Sequence, residues 1–214
     1  MTPAQRPTPQ RPPVAHGLWL TRGPFADACS WAEHAVVPTV VVPQSGRSLV
    51  SPRGGPKVSP PYDDAALLSA ARVVPRRLAP AIGFWVIQDR AVLTVRNPGW
   101  RERTRWVVWD PELGVLRTPG LPRASTQQVV AAAGHGSRRE LREMFAETQH
   151  QPVRLLSAVM SILAVPGAGV LSDPFSAEDL PGAKIFHPTS KEVGNFDDAV
   201  KGAVMLRQEL ETPG

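Results

Sequence analysis

The segment from residue 81 to residue 119 constrains the fold most, because it predicts short antiparallel strands joined by recognisable turns. Ile82 to Ile87 is an unbroken apolar run of β-branched and aromatic residues, which is typical of a central strand covered on both faces. In the next run, Ala91, Leu93 and Val95 alternate with Val92, Thr94 and Arg96, so one face of that strand is more apolar than the other. A β-meander is therefore predicted at about residues 82–117. Its strands are Ile82 to Ile87, Ala91 to Arg96, Thr104 to Trp109 and Val115 to Arg117.

The turns between these runs support the meander. Asn97-Pro98-Gly99 suits a type II turn, since proline presets φ and glycine accepts a positive φ. The segment from Asp110 to Gly114 has a type I signature, and its glycine suits a bulge into the last strand. A buried helix near residues 82–95 is the alternative that these turns disfavour.

Length and composition bound the class of protein. The chain has 214 residues, of which 42% are hydrophobic and 20% charged, and this predicts a single α+β domain at 17–214. Its 24 prolines and 17 glycines indicate that a good part of the chain is irregular. The net charge is +5 and arginine outnumbers lysine. A GC-rich bacterial genome accounts for that bias better than nucleic-acid binding does.

The N-terminal third is predicted to be Pro-rich and irregular. Residues 1–16 are polar, which indicates a disordered or extended tail. Leu18 to Leu20 could add an edge strand, and Pro38 confines the strand expected at Val36 to Val42 to an edge or a bulge. Residues 44–61 read QSGRSLVSPRGGPKVSPP, and they are predicted to form a Pro/Gly-rich loop.

Helices are predicted on both sides of the meander. Phe25 to Ala35 suits a short helix, and Asp63 to Arg72 suits another, with Leu67 and Leu68 facing inward. After the meander a group of helices follows, and a meander followed by helices is typical of an α+β fold. Their predicted starts are Ser125 with Gln128, Ser137 with Glu140, Gln151 with Pro152, and Thr189 with Glu192.

The last predicted helix has two interpretations. Its apolar residues recur every three or four residues. That spacing fits packing against the domain and also fits a coiled-coil seam between two copies. Glycines and an arginine interrupt the spacing, so packing against the domain is favoured. The apolar positions are Val193, Phe196, Val200, Ala203 and Leu210.

The sequence contains no motif that specifies a reaction. It has no phosphate-binding loop, no dinucleotide fingerprint, no HExxH and no nucleophile elbow. Cys29 is the one cysteine, which excludes an intramolecular disulfide and a cysteine-based metal site. We therefore expect no catalytic residue, no cofactor and no metal. An enzyme whose pocket is assembled from distant residues, around His135 and the loop at Asp173, is the remaining catalytic alternative.

The candidate binding residues are Trp100, Arg101, Arg103 and Arg105, of which the first three precede the third strand of the meander and Arg105 lies near its start. Arginines beside an aromatic residue can contact phosphates and stack on bases, and a sheet face is a common platform for that. The same residue types are enriched at protein-binding hot spots. Alternatively, the segment has no binding role, and its arginines only keep an edge strand in contact with water. Trp106 and Trp109 point to opposite faces of that strand, so at least one of them is expected in the core.

The function predicted from these observations is that of a non-catalytic accessory or adaptor protein that binds another macromolecule, with a protein partner or self-association favoured. A nucleic-acid-binding protein is the first alternative. Leu155 to Leu171 is the most apolar stretch, but Pro166 and two glycines cut it short of a membrane span. A cytoplasmic location is expected, because residues 1–16 lack the apolar region of a signal peptide.

Overall fold

The structure, a computed structural model, describes residues 15–55, 58 and 64–211, with 206–211 described by their backbone alone. It is an α+β fold, as predicted, built on an eight-stranded antiparallel sheet with the order β7-β6-β5-β4-β1-β3-β2-β8. The strands are β1 (Gly17–Thr21), β2 (Thr39–Gln44), β3 (Arg47–Pro52), β4 (Ala81–Ile87), β5 (Arg90–Arg96), β6 (Arg105–Asp110), β7 (Gly114–Val115) and β8 (Lys184–Phe186).

Helices connect and cover these strands. The α-helices are α1 (Phe25–Glu33), α2 (Ala65–Ala71), α3 (Thr126–Ala133), α4 (Arg138–Ala146), α5 (Pro152–Ile162), α6 (Ala168–Ser172) and α7 (Ser190–Glu211). Two short 3₁₀ helices lie at Arg76–Leu78 and Pro174–Asp179. The predicted helix starts are confirmed: Ser125 forms a capping box, Ser137 accepts a hydrogen bond from the Glu140 amide, and Pro152 opens α5.

The sheet is the middle layer, because both of its faces are buried under helices. Along β4, Ile82 and Phe84 face a core shared with α3, α4, α5 and α6. Trp85 and Ile87 face the opposite way, into a second core shared with α1 and α2. The unbroken apolar run of β4 therefore reflects a strand covered on both sides, as the sequence predicted.

The described part of the N-terminal third contributes three strands to this sheet. Residues 47–52 lie in the predicted loop at 44–61, yet they form β3, which pairs with β1 and β2. The Ser45-Gly46 turn joins β2 and β3, and Gly46 has the positive φ of 68° that such a turn requires. The predicted edge strand at Leu18 to Leu20 is also wrong in position, because β1 lies between β3 and β4. Residues 1–14 of the predicted tail lie outside the described residues.

Two smaller expectations need correction. In α2 the buried residues are Ala65, Ala66 and Ala70, whereas Leu67 is 37% exposed and Leu68 is half-buried. The interior beneath α2 is occupied by the tryptophans of the second core, and small residues let the helix approach them closely. The predicted packing of α7 is seen in its first turns, where Glu192 meets His34 at 3.1 Å, while residues 201–205 are exposed. The predicted apolar position Leu210 lies among the side chains outside the described residues.

Candidate macromolecule-binding surface

The loop between β5 and β6 presents an indole to solvent. Trp100 is 86% exposed, the highest exposure among the large hydrophobic residues in the part of the chain that the structure describes. The turn at Asn97-Pro98-Gly99 precedes it, and Gly99 has a positive φ, as the predicted turn requires. An exposed tryptophan carries a large apolar area and a free N–H, which is the combination found at protein-binding hot spots.

The three predicted arginines of this loop differ in their surroundings. Arg101 and Arg103 are exposed beside Trp100. Arg105 is the first residue of β6, is half-buried, and its Nε lies 3.7 Å from the Glu102 carboxylate. The structure therefore leaves Trp100, Arg101 and Arg103 available to a partner, whereas Arg105 lies in the sheet.

Further arginines lie at the same end of the sheet. Because the strands are antiparallel, the end of β5 adjoins the end of β1 and the starts of β3, β4 and β6. We call this region, with the loop at 97–104, the arginine end. Its arginines are Arg22, Arg47, Arg76, Arg77, Arg96, Arg101, Arg103 and Arg105. Among the described residues at these strand ends, the carboxylates that meet them are Asp27, 3.2 Å from Arg77, and Glu102.

Two of these arginines share one acceptor. Arg22 donates a hydrogen bond of 2.9 Å to the carbonyl of Ala133 at the C-terminus of α3, and Arg47 donates to the same oxygen. The partial negative charge of a helix C-terminus favours this arrangement. Burial lowers the pKa of Arg47, and the neighbouring charge of Arg22 lowers it further. Two cations therefore face one neutral carbonyl, so their positive potential is only partly offset.

Helices pack on both faces of the sheet. Trp109 is fully buried and its indole N–H donates to the Glu147 carbonyl at 3.2 Å, while Trp106 is half-buried on the opposite face. The prediction that at least one of this pair lies in the core is confirmed. Trp109 therefore offers no ring face to a base, and Trp106 offers only part of one.

The residues kept for a catalytic alternative do not come together. His135 follows α3 near the end of β1, whereas α6, which leads to Asp173, lies near the start of β1, where His16 contacts the Leu171 carbonyl at 2.9 Å. Asp173 accepts a hydrogen bond from the Phe175 amide, which is a structural capping role. Within residues 15–55, 58 and 64–211, no cluster of three or more metal-ligating side chains is present.

Sequence reasoning identified the loop but missed Arg22 and Arg47. Each borders an apolar strand, which is a local signal, but their convergence depends on β1 lying between β4 and β3. Neither β3 nor β4 directly follows β1 among the strands of the chain, so no local pattern places them beside it.

The chain matches no protein-family model, no curated protein and no solved structure. The functional inference therefore depends on the chain's own residues. In the described ranges, none of the helices combines the length and the apolar character needed to cross a membrane.

Proposed function

We propose that this chain is a non-catalytic accessory protein that binds an acidic surface or segment of another protein at the arginine end. The observation that carries the proposal is the 86% exposed Trp100 with Arg101 and Arg103 beside it. A tryptophan of this kind supplies apolar area to an interface at little cost in conformational entropy, and the arginines supply hydrogen bonds to carboxylates.

The surrounding charges support an acidic partner. Arg96 directly precedes the loop, and Arg22 and Arg47 lie at the same end of the sheet, two and three strands away from β5. Atom Nη1 of Arg47 and of Arg96 is buried without a hydrogen-bond partner among the described residues. Their summed potential favours approach of a negatively charged surface and raises its association rate. Exposed arginines in water contribute little each, so the indole is expected to provide most of the affinity.

A protein partner is favoured over nucleic acid because one exposed indole is a small stacking surface. Proteins that bind single strands combine a basic groove with several aromatic side chains on which successive bases stack. Here Trp106 is half-buried and Trp109 is buried. Nucleic-acid binding remains the alternative, and it predicts an affinity that falls steeply with salt for any sequence offered.

The test is affinity purification of the tagged protein from its native cells, with and without nuclease. A protein that survives nuclease in stoichiometric amount supports the proposal if the double variant Trp100→Ala, Arg103→Glu loses it. Arg139→Ala is the matched control, because Arg139 is an exposed arginine on α4 whose Nε lies 3.7 Å from Glu143. A partner that the double variant retains would contradict the proposed surface. Material that nuclease removes entirely would support the nucleic-acid alternative.

Self-association through α7 is a second candidate. The helix spans Ser190–Glu211, and Val204 and Met205 on it are 45% and 61% exposed. Apolar side chains on a helix that extends beyond the domain can pack against a second copy. Light scattering across a concentration series tests this, and Val204→Glu with Met205→Glu is expected to abolish any dimer. A mass that stays monomeric at all concentrations contradicts it.

Three further expectations from the sequence remain predictions: the cytoplasmic location, the bacterial origin and a role for the proline-rich N-terminus in contacting a partner. Removal of residues 1–61 is not a usable test of the last, since it would delete β1, β2 and β3. A truncation of residues 1–14 leaves every described strand in place. If that truncation keeps the partner at full yield, the N-terminal contact is excluded.

A further inference from the structure

An open cleft of about 520 Å³ lies at the β7 edge of the sheet, between β6 and β7 on one side and α3 and α4 on the other. Small-molecule sites usually fall between about 300 and 1,000 Å³, so this cleft has the size of a ligand site. None of Trp100, Arg101 and Arg103 lines it, and the inference is therefore independent of the proposed protein-binding function.

The floor of the cleft is apolar. Val107 from β6 and Phe145 from α4 are buried beneath it, at 4% and 6% exposure, and Ala124 and Val115 complete the surface. Strand alternation points Val107 to the side of the sheet covered by α3 and α4. Beyond the two-residue β7, the segment before α3 runs along β6, because the Trp106 amide donates to the Pro122 carbonyl at 2.7 Å and the Ala124 amide donates to the Trp106 carbonyl at 2.8 Å. An apolar body of a ligand would be desolvated here.

The rim of the cleft is cationic. Arg123, from the segment that precedes α3, and Arg142 of α4 both line it, and no aspartate or glutamate among the described residues does. The guanidinium of Arg123 has no ion pair or hydrogen bond with the described residues, and Arg142 uses its Nε on the Arg138 carbonyl at 3.2 Å. Two of the three carboxylates of α4 and its C-cap are engaged elsewhere, Glu143 with Arg139 and Glu147 with His150, and the third, Glu140, is exposed and does not line the cleft.

The N-terminus of α3 is a third polar feature of the rim, and like the two arginines it favours an anion. Ser125 and Thr126, at the N-terminus of α3, line the cleft, and the first N–H groups of an α-helix have no partner within the helix. Ser125 and Gln128 satisfy each other in the capping box, so Thr126 contributes the free N–H on this side. Two guanidinium groups and the positive end of a helix thus surround an apolar floor.

We propose that this cleft binds a small organic anion, a carboxylate that carries an apolar chain or ring. The carboxylate accepts hydrogen bonds from Arg123 and Arg142, since guanidinium groups match carboxylates in bidentate geometry. The apolar body covers Phe145 and Val107. A neutral molecule of the same shape leaves both guanidinium groups without a counter-charge, and a short acid such as acetate leaves the floor bare.

The test uses 8-anilinonaphthalene-1-sulfonate, an aromatic anion whose fluorescence rises in apolar surroundings, with the full chain. Decanoate, decanol and acetate are then compared as displacers. Decanoate is expected to displace the dye at a concentration at least about tenfold lower than decanol, because one charged hydrogen bond contributes about a factor of ten or more. Equal displacement by decanoate and decanol, or displacement by acetate as efficient as by decanoate, overturns the proposal.

Variants locate the site. The double variant Arg123→Ala, Arg142→Ala is expected to weaken the binding of decanoate at least about tenfold while leaving the binding of decanol unchanged. Ala146→Trp fills the cleft from an exposed position on α4 and is expected to abolish the binding of both decanoate and decanol. Arg139→Ala, three residues from Arg142 on the same helix, is the control that binds decanoate like the parent chain. Thermal unfolding confirms that each variant folds. Unchanged decanoate binding in the double variant, or in Ala146→Trp, overturns the proposal.

Discussion

The indole N–H of Trp85 donates a hydrogen bond of 2.9 Å to the hydroxyl of Thr94, and neither side chain has any exposed surface. The pair joins β4 to β5 on the face covered by α1 and α2. Two glycines make room for the ring: a Cβ at Gly17, opposite on β1, would lie 2.2 Å from Trp85, and a Cβ at Gly83 would lie 2.4 Å from it. One of the three tryptophans of the second core therefore fits because glycines lie beside its ring.

Removing the acceptor of this bond should destabilise the fold. Thr94→Val keeps the shape of the side chain but leaves the buried indole N–H without a partner, which costs about 1–3 kcal/mol. Urea unfolding followed by tryptophan fluorescence measures the loss. Thr94→Ser keeps the hydroxyl and is the control for the hydrogen bond. If valine proves no more destabilising than serine, the bond does not contribute to stability.

Adding a methyl group at Gly83 should also destabilise the fold, through overpacking. The new Cβ would lie 2.3 Å from the Thr94 hydroxyl and 2.4 Å from the Trp85 nitrogen, so the pair must move apart. We expect a loss of about 1–3 kcal/mol for Gly83→Ala in the same unfolding assay. Gly55→Ala is the control, because a Cβ there meets nothing within 4 Å. Equal stability of the two alanine variants would show that the sheet absorbs the methyl group.

The meander was predictable because its information is local. The turns after β5 and β6 contain proline and glycine at positions with few alternatives, and the runs between them are the length of strands. Strand β3 was not recognised because Pro, Gly and Ser dominate residues 44–61. Of its two buried serines, Ser48 has no hydrogen-bond partner for its hydroxyl among the described residues, whereas Ser51 donates from its hydroxyl to the Gly17 carbonyl at 2.9 Å. That partner lies in β1, and composition alone gives no sign of it.

The same distinction applies to the sites. The exposed loop at Trp100 follows from its own turn, so its position at the sheet end could be predicted. Arg22 and Arg47 meet at Ala133 only because of the strand order and the direction of α3. Arg123 and Arg142 likewise reach one cleft from different elements. Sites assembled from distant segments require the topology, which hydrophobic periodicity does not determine.

The buried thiol of Cys29 should react slowly in the native protein. Burial in α1 raises the pKa of this thiol above its ordinary value of 9.0, and the nearby Lys184 opposes that shift only in part. Less of the reactive thiolate is present, and the side chain is only 8% exposed. Reaction with Ellman's reagent at pH 8 is therefore expected to be slow in buffer and fast in urea. Equal rates in the two conditions would contradict the burial of this thiol.

The charge of Asp110 should contribute to stability at neutral pH and lose that contribution in acid. A hydrogen bond of 3.0 Å from Arg90 lowers the pKa of this carboxyl below 3.8, with help from the amides of Glu112 and Leu113. Because the folded state holds the proton less tightly than the unfolded chain, the contribution is present above pH 3.8 and is lost as the pH falls through the lower folded value. The free energy of unfolding of Asp110→Asn in urea should therefore differ from that of the parent chain at pH 7 and converge with it in acid.

Asp89→Asn, in the turn between β4 and β5, is the control, since asparagine accepts its positive φ of 59°. A stability difference for Asp110→Asn that stays constant into acid would show that the charge of Asp110 has no role.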